Sequence, residues 1–526
     1  MSAGHTAGDS PNRGPYILSY DLGTGGVKAV LYRSGGESLA SSTVAYETSY
    51  PKPGRHEQRP EEWWNAVVRS THEVLERAGV EGKSVAACAL SGHSLGVVPL
   101  GEHGELLREQ TPIWSDSRAH GQAAEFFRTV GEERWYMTTG NGFPPPLYSV
   151  FKIMWYREHE PELYGKIRHV VGTKDYVNYL LCGEIATDNS YASGSGVYDL
   201  RRRRYDRDLI DAAGISPRIL PEPVPSTETL GVLSARAADQ LGLTTGTKVI
   251  AGGVDNSCMA VGARNIRHGR VYNSLGSSSW IAVSSEEPIL DEATRPFVFE
   301  HVIPGLYTSA YSIFSAGSSF RWIRDVMCRD LLDRARSEGR DVYDLMTEEA
   351  ARAPVGSRGL LFNRNLAGGT GLDPSPSVRG AFSGLDLAHG REDLIRASME
   401  GIAFGLREAL TALREKSRIE DRMLVVGGGS SSPLWRRILA DVYGMTIVKT
   451  SIDQDAAALG AAALAAVGTG AWDGFETIDT LHEVHDTTEP EPANVAAYRS
   501  LVPLYERLNA FQAELGDDVN ALGLRQ

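Results

Sequence analysis

The chain has 526 residues, of which 42% are hydrophobic and 23% charged. This is the composition of a globular protein with room for two large domains or three smaller ones, and it excludes a fibrous or intrinsically disordered chain. Its 67 acids against 53 bases leave a formal charge of −14, so the surface repels nucleic acid and anionic membrane, and neither is expected as a partner. A bound phosphate would then need local help from backbone NH groups, a metal or a few cations.

Residues 1–14 are small and polar and lack the apolar core of a signal peptide, so they read as a loose tail. Tyr16 to Tyr20 is apolar, Asp21-Leu22-Gly23-Thr24-Gly25-Gly26 is a bend, and Val27 to Tyr32 is apolar again. The pattern predicts a β-hairpin with a glycine-rich turn. Pro60 to Ala78 has proline at its start and acids in its first turn, the signature of a helix. Strands are predicted over Val85–Leu90, Gly96–Leu100 and Lys248–Ala251, the last running into Gly252-Gly253-Val254-Asp255. A second hairpin follows, with Val271–Leu275, a Gly276-Ser277-Ser278-Ser279 bend and Trp280–Val283. Asp21-Leu22-Gly23-Thr24 and Ser274-Leu275-Gly276-Ser277 share one pattern, which suggests an internal duplication with a nucleotide between two related halves.

Farther on come a strand (Met423–Val426), a Gly427-Gly428-Gly429-Ser430 turn, a helix (Pro433–Tyr443), a strand (Thr446–Lys449) and a helix (Asp455–Val467). Strands alternating with helices predict an α/β fold. The most apolar stretch, Ala456 to Val467, is too short to span a bilayer. Asp486 to Asn494 reads as an acidic linker and Val495 to Leu515 as one closing helix. The expected division is a first domain over 15–262, a second over 263–484, and a linker with closing helix over 485–526. Cys88, Cys182, Cys258 and Cys328 form no C-x-x-C pair or zinc-spaced cluster and read as reduced thiols of a cytoplasmic protein.

Several segments carry candidate chemistry. At the first bend Gly23 and Gly25 offer backbone NH groups to a phosphate, Thr24 adds a hydroxyl and Lys28 a charge. Asp21, at the strand end, is placed to hold a magnesium ion through water. Gly276, Ser277 and Ser278 repeat the logic in the second half. Each bend alone is equally an ordinary tight turn, and the pair is more specific than either. Asp255, on a glycine-flexed turn after a strand, suits the group that accepts a hydroxyl proton during phosphoryl transfer. The competing role is an N-cap for the segment after it. Gly428, Gly429 and Ser432 form a turn against which a base or phosphate could lie. No Gly-Lys-Ser/Thr follows, so this is not a P-loop, and it is not a dinucleotide fingerprint either.

Four segments in order resemble the FGGY family of carbohydrate kinases, within the actin, hexokinase and heat-shock ATPase superfamily. They are Asp21-Leu22-Gly23-Thr24; Gly252-Gly253-Val254-Asp255-Asn256; Gly380-Ala381-Phe382-Ser383-Gly384-Leu385 with Asp393 to Glu400; and Gly427-Gly428-Gly429-Ser430 with Trp435. Lys174-Asp175-Tyr176 and Thr187-Asp188 match as well. The resemblance implies two ribonuclease-H-like domains flanking a nucleotide and sugar cleft, with ATP and Mg2+ as cofactors. It implies Asp255 as general base, Asp21 with Asp255 at the metal, Gly276 to Ser278 as a phosphate loop, and Gly428, Gly429 and Ser432 beside the adenosine.

The nearest subgroup is similar to xylulokinases, which usually carry Gln-Met-His-Gly where this chain has His93-Ser94-Leu95-Gly96. The Arg-Glu pair of glycerol kinases is absent too. Candidates for sugar contact are therefore His93, Ser94, Trp114, Asp116, Asp255 and Asn256, with a core aromatic as the competing role of Trp114 and a solvated loop pair as that of Asp116 and Arg118. The expected activity is ATP-dependent phosphorylation of a hydroxyl on a small sugar, sugar acid or polyol. The expected partners are that substrate and, at most, a second copy of the chain. An actin-like ATPase and a catalytically silent sugar-binding relative are the rival readings.

Overall fold

The computed structural model describes residues 15–523; the tail read over 1–14 lies outside the described residues. The predicted first hairpin is present as β1 (Tyr16–Gly23) and β2 (Gly26–Arg33), joined by Thr24 and Gly25. β3 (Ser38–Ala45), helix α1 (Pro60–Ala78), β4 (Val85–Gly92), α2 (Thr173–Cys182), the short α3 (Asn189–Ser193), β5 (Thr229–Val232) and β6 (Lys248–Val254) follow. Their strands form one six-stranded sheet in the order β5-β6-β4-β1-β2-β3. β1 lies parallel to β4 and β4 parallel to β6, while the flanking pairs are antiparallel.

The first half closes with α4 (Asp255–Gly262), and the second half begins with β7 (Val271–Leu275), β8 (Ser279–Ser285), β9 (Phe297–Glu300), β10 (Tyr307–Ile313) and α5 (Gly317–Met327). It continues with α6 (Arg391–Lys416), β11 (Arg422–Val426), α7 (Pro433–Tyr443), β12 (Thr446–Thr450), α8 (Ala456–Gly468), β13 (Val484–Thr488) and α9 (Pro492–Ala521). These strands make a seven-stranded sheet ordered β9-β10-β8-β7-β11-β12-β13. The run β10-β8-β7-β11-β12 repeats the order and directions of β3-β2-β1-β4-β6. The duplication suggested by two short bends is thus visible as a repeated topology of whole sheets.

Three expectations change. The strand predicted over Gly96–Leu100 covers only Val98–Leu100, because the chain turns before it at Leu95, whose φ of 61° leaves the extended region. The linker predicted over Asp486–Asn494 is mostly structured: Asp486 to Thr488 belong to β13, paired antiparallel with β12. The closing helix is longer, and its Tyr498, Val502 and Tyr505 are buried in the second core, so this segment packs as part of the second unit.

The alanine-rich stretch also takes a role that its composition alone did not show. α8 comes from the second half, yet it packs on β1, β4 and β6 of the first sheet and against α4. Close approach explains its small residues. A Cβ built on Gly460 would stand 1.9 Å from Cys258 O, and one on Gly262 would stand 1.8 Å from Ala456 O. The two halves are therefore joined by a pair of helices in backbone contact, and α4 begins at Asp255.

Candidate active site

Strand register assembles the acidic end of the site. Asp21 pairs across to Ser91, and Ser91 to Gly253, so three neighbouring strands end side by side. Ser91 Oγ donates to Asp21 Oδ1 at 2.9 Å. Asp255 follows two residues beyond Gly253. Its carboxyl is pushed up to about 7, by burial first and by the Asp21 charge second. Burial raises the Asp21 carboxyl too, against the Ser91 hydrogen bond and the Lys28 charge. An acid whose proton affinity is raised by a neighbouring carboxylate makes with it a fitting pair for a divalent cation. Among the described residues no group of three or more His, Cys, Asp or Glu could cage a metal by itself. Magnesium keeps waters and takes phosphate oxygens beside one or two carboxylates, so Asp21 and Asp255 are the residues that could hold it. The competing N-cap role does not hold: the cap position falls on Val254, and Asp255 is the first helical residue, its Oδ1 accepting from its neighbour Asn256 N at 2.7 Å.

Around the first bend, predicted nucleotide and sugar residues meet. Trp114 Nε1 donates to Thr24 Oγ1 at 2.8 Å, although 90 positions separate them. Gln58 Nε2 holds Thr24 O at 2.7 Å. Trp114 is only partly buried and also packs against the core cluster that holds Phe151 and Trp155, so the core contact and the bend-facing hydrogen bond coexist. Lys28 is ion-paired with Asp455, at the start of α8. Asp116 and Arg118 are no solvated loop pair either. Asp116 is fully buried and accepts from Arg118 Nε at 2.8 Å and Nη2 at 2.7 Å, and from His56 N at 2.7 Å. Arg118 continues to Glu57, and its guanidinium lies 4.9 Å from the centre of the Trp155 ring. Burial would raise the Asp116 carboxyl, but the Arg118 hydrogen bond and the Lys152 charge hold it below its ordinary value.

His93 and Ser94 are both buried. Burial pushes the His93 ring down to about 4, so it is neutral near pH 7. Its Nδ1 is 3.4 Å from Thr173 Oγ1, and its buried Nε2 has no hydrogen-bond partner among the described residues. Asn256 O accepts from Tyr272 OH at 3.4 Å, and that hydroxyl accepts from Trp280 Nε1 at 3.0 Å. Tyr272 of the second sheet thus reaches the residue after Asp255, with Trp280 behind it, and sequence reasoning missed both. It also gave no role to Lys152. This fully buried ammonium donates to Leu95 O at 3.0 Å and Ile113 O at 2.7 Å, tying the two candidate sugar loops together. The available signal was one lysine in an otherwise apolar helical stretch, Val150 to Tyr156.

The nucleotide residues of the second half come together in one cavity of about 520 Å³, lined by Gly276, Ser277, Gly428, Gly429 and Ser432 with the rings of Phe320, Tyr343 and Trp435. Its size is that of a small-molecule site, and flat rings beside open glycine backbone suit a purine. Ser278 is not on this wall, and Gly23, Thr24, Gly25 and Lys28 belong to the first sheet. The second bend is braced from behind, where Gly317 N and Ser318 N, opening α5, donate to Gly276 O and Ser277 O at 3.0 Å each. Ser432 caps α7 by accepting from Trp435 N at 3.3 Å.

Comparison with known proteins bears on the family and the fold. Residues 16–262 match the model for the N-terminal domain of the FGGY family of carbohydrate kinases, and residues 271–469 match that for its C-terminal domain. The chain is 30% identical over 507 residues to the xylulose kinase of Bacillus subtilis (strain 168), covering 95% of this chain and 98% of that one. It is 29% identical over 501 residues to the gluconokinase of the same organism, covering 94% and 95%. The crystal structure of gluconate kinase from Lactobacillus acidophilus superposes with a TM-score of 0.87 at 26% identity, over 96% of this chain and 99% of that one. Two domain models that together span most of the sequence, and a relative matched along nearly its whole length, establish that this chain belongs to the FGGY family of carbohydrate kinases, enzymes that phosphorylate sugars and sugar acids with ATP.

Proposed function

We propose that this carbohydrate kinase transfers the terminal phosphate of ATP to a primary hydroxyl of a small sugar, sugar acid or polyol, with Asp255 as the general base. The observation that carries the reading is the half-buried Asp255 carboxyl, set beyond the end of a glycine-flexed strand next to the strand end of Asp21 and pushed up to about 7. A base with that affinity gives up and regains a proton near neutral pH, where proton transfer is most effective. Asp255 accepts the hydroxyl proton as the oxygen bonds to phosphorus. Backbone NH groups of Gly23 and Gly25, with the hydroxyls of Ser277 and Ser278, face the phosphates, while Gly276, whose NH closes its own bend on Ser278 O, gives the close approach. Gly428, Gly429, Ser432 and Trp435 hold the base and ribose. Asp21 and Asp255 would hold magnesium, which when bound offsets the charge on the phosphate oxygens.

His93, Ser94, Trp114 and Asn256 are the proposed sugar-side residues, with Asp116 setting the shape of their loop through Arg118. The relatives named for xylulose and for gluconate bracket the substrate class. The cytoplasm, where ATP is available and free thiols persist, is the proposed compartment; all four cysteines are free, and among the described residues no helix is long and apolar enough to cross a membrane.

The test is ADP release from magnesium-ATP across a panel of ketoses, polyols and aldonates, with wild type and Asp255→Asn. Stimulation by one class, lost in Asp255→Asn with ATP binding kept, is expected. Full turnover in the variant would remove Asp255 from the mechanism. ATP turnover that no member of the panel stimulates would count against these substrate classes.

A further inference from the structure

The strand that delivers Asp255 is irregular just before its end, and its pairing with β4 resumes only at Gly253 and Val254. β6 leaves its regular ladder with β4 between Ile250 and Gly253. Gly252 sits at φ +72°, and a Cβ on it would stand 2.1 Å from Leu90 O, so no other residue fits there. An irregularity of this kind re-aims a side chain but strips ladder hydrogen bonds from the strand. Buried NH and C=O groups then need other partners.

Side chains from α2 and α3 supply them. Lys174 Nζ lies 3.2 Å from Ala251 O, and Asn178 Nδ2 donates to the same oxygen at 2.8 Å. Ser190 Oγ accepts from Val254 N at 2.9 Å and donates its own proton to Asp188 Oδ2. Asp188 Oδ1 is 2.8 Å from Lys174 Nζ. These contacts close a ring. It runs from Val254 N–H through Ser190, Asp188 and Lys174 back to Ala251 O, and it clamps the residues from 251 to 254 between its ends. Ser226 adds a brace, its backbone oxygen taking Gly252 N at 3.1 Å and its hydroxyl donating to Asp188 at 2.7 Å. Lys174, Asp188 and Ser190 are all fully buried. A buried ion pair is weak evidence of stability, because packed apolar residues often serve as well. A fully connected polar network does fix geometry, and this one converges on the residues just before the proposed base.

We propose that Lys174, Asp188 and Ser190 are positioning residues that set the direction of Asp255 through residues 251–254. None of them need touch substrate. The proposal rests on Asp255 being the general base. Displacing the base by an ångström should cost turnover while the nucleotide cavity, built from the second half, is untouched.

The test uses the full chain and four variants: Ser190→Ala, Ser190→Cys, Asp255→Asn and the double Ser190→Ala/Asp255→Asn. Readouts are kcat, KM for the stimulating sugar, ATP affinity by titration, and Tm. Ser190→Ala is expected to lower kcat by about 10- to 100-fold with ATP affinity unchanged and the protein folded at assay temperature. Ser190→Cys keeps a weak acceptor, should fall between, and serves if the alanine variant does not fold. The double variant should be no slower than Asp255→Asn alone, since the ring acts through that carboxylate. Wild-type kcat in the Ser190 variants beside a dead Asp255→Asn would overturn the positioning role and leave the base assignment standing. Losses that multiply in the double variant would also overturn it, since the ring would then act elsewhere. Turnover retained in Asp255→Asn would strike the base assignment itself and the positioning role with it.

Discussion

Gly460→Ala should uncouple the two halves of this kinase through a single methyl group. α8 and α4 touch backbone to backbone, and the added Cβ would stand 1.9 Å from Cys258 O, against about 3.4 Å for ordinary contact. The helices must therefore separate by about 1.5 Å, and the atom met is backbone, which cannot swing aside. The reciprocal contact, Gly262 against Ala456 O, shows that the spacing is set on both helices. Overpacking of this kind costs about 1–3 kcal/mol. The larger effect should be on rate. α4 starts at Asp255 and α8 at Ala456, next to the Asp455 that holds Lys28, so separating them shifts the base relative to the first phosphate bend. A displacement near 1 Å can cost about 100-fold in turnover. The assay is kcat with the preferred sugar together with thermal unfolding, using Ala463→Gly as a substitution on the same helix that adds no bulk. A Gly460→Ala enzyme within about twofold of wild-type kcat and with unchanged Tm would refute the reasoning, because the backbone contact would then be compressible.

Other consequences can be checked with few variants. Asp116→Asn should destabilise the fold by about 3–5 kcal/mol, because it leaves the buried Arg118 short of one of its two carboxylates; a raised sugar KM at unchanged Tm would instead make Asp116 a direct sugar ligand. His301 and His482 are pushed down to about 4 by burial, so they stay neutral when folded and take protons when unfolded. Stability should therefore fall as pH drops from about 6.5 towards 4, by up to about 3 kcal/mol for each, and urea midpoints that agree at pH 7 and pH 5 would contradict this. Glu408 has the opposite sign: burial pushes its carboxyl up to about 8, so the folded state keeps a proton that the unfolded state releases, and stability is lost as pH rises from about 4.5 to 8. Glu408→Gln should raise Tm at pH 8 more than at pH 5, as measured by thermal melts at the two values.

The sequence by itself determined the parts whose chemistry is contiguous. Two Leu-Gly-Thr/Ser bends, an aspartate after paired glycines and a triple-glycine turn each combine a backbone requirement with a functional group within a few residues, and turn chemistry is local. Periodicity likewise marked the helices at Pro60–Ala78 and Pro433–Tyr443. What tertiary structure alone decided are the contacts between distant segments. Trp114 finds Thr24, Arg118 joins Asp116 to Glu57, Tyr272, held by Trp280, reaches Asn256, and Lys174 and Ser190 close on the strand before Asp255. A side chain's type announces that it needs a partner when buried, but not which one, since that depends on strand register and helix placement set by the whole core. The same holds for α8 and β13. An alanine-rich run shows that something must approach closely, and an acidic run shows a solvated edge. Only the assembled sheets show that the first bridges the two halves and that the second finishes a ladder.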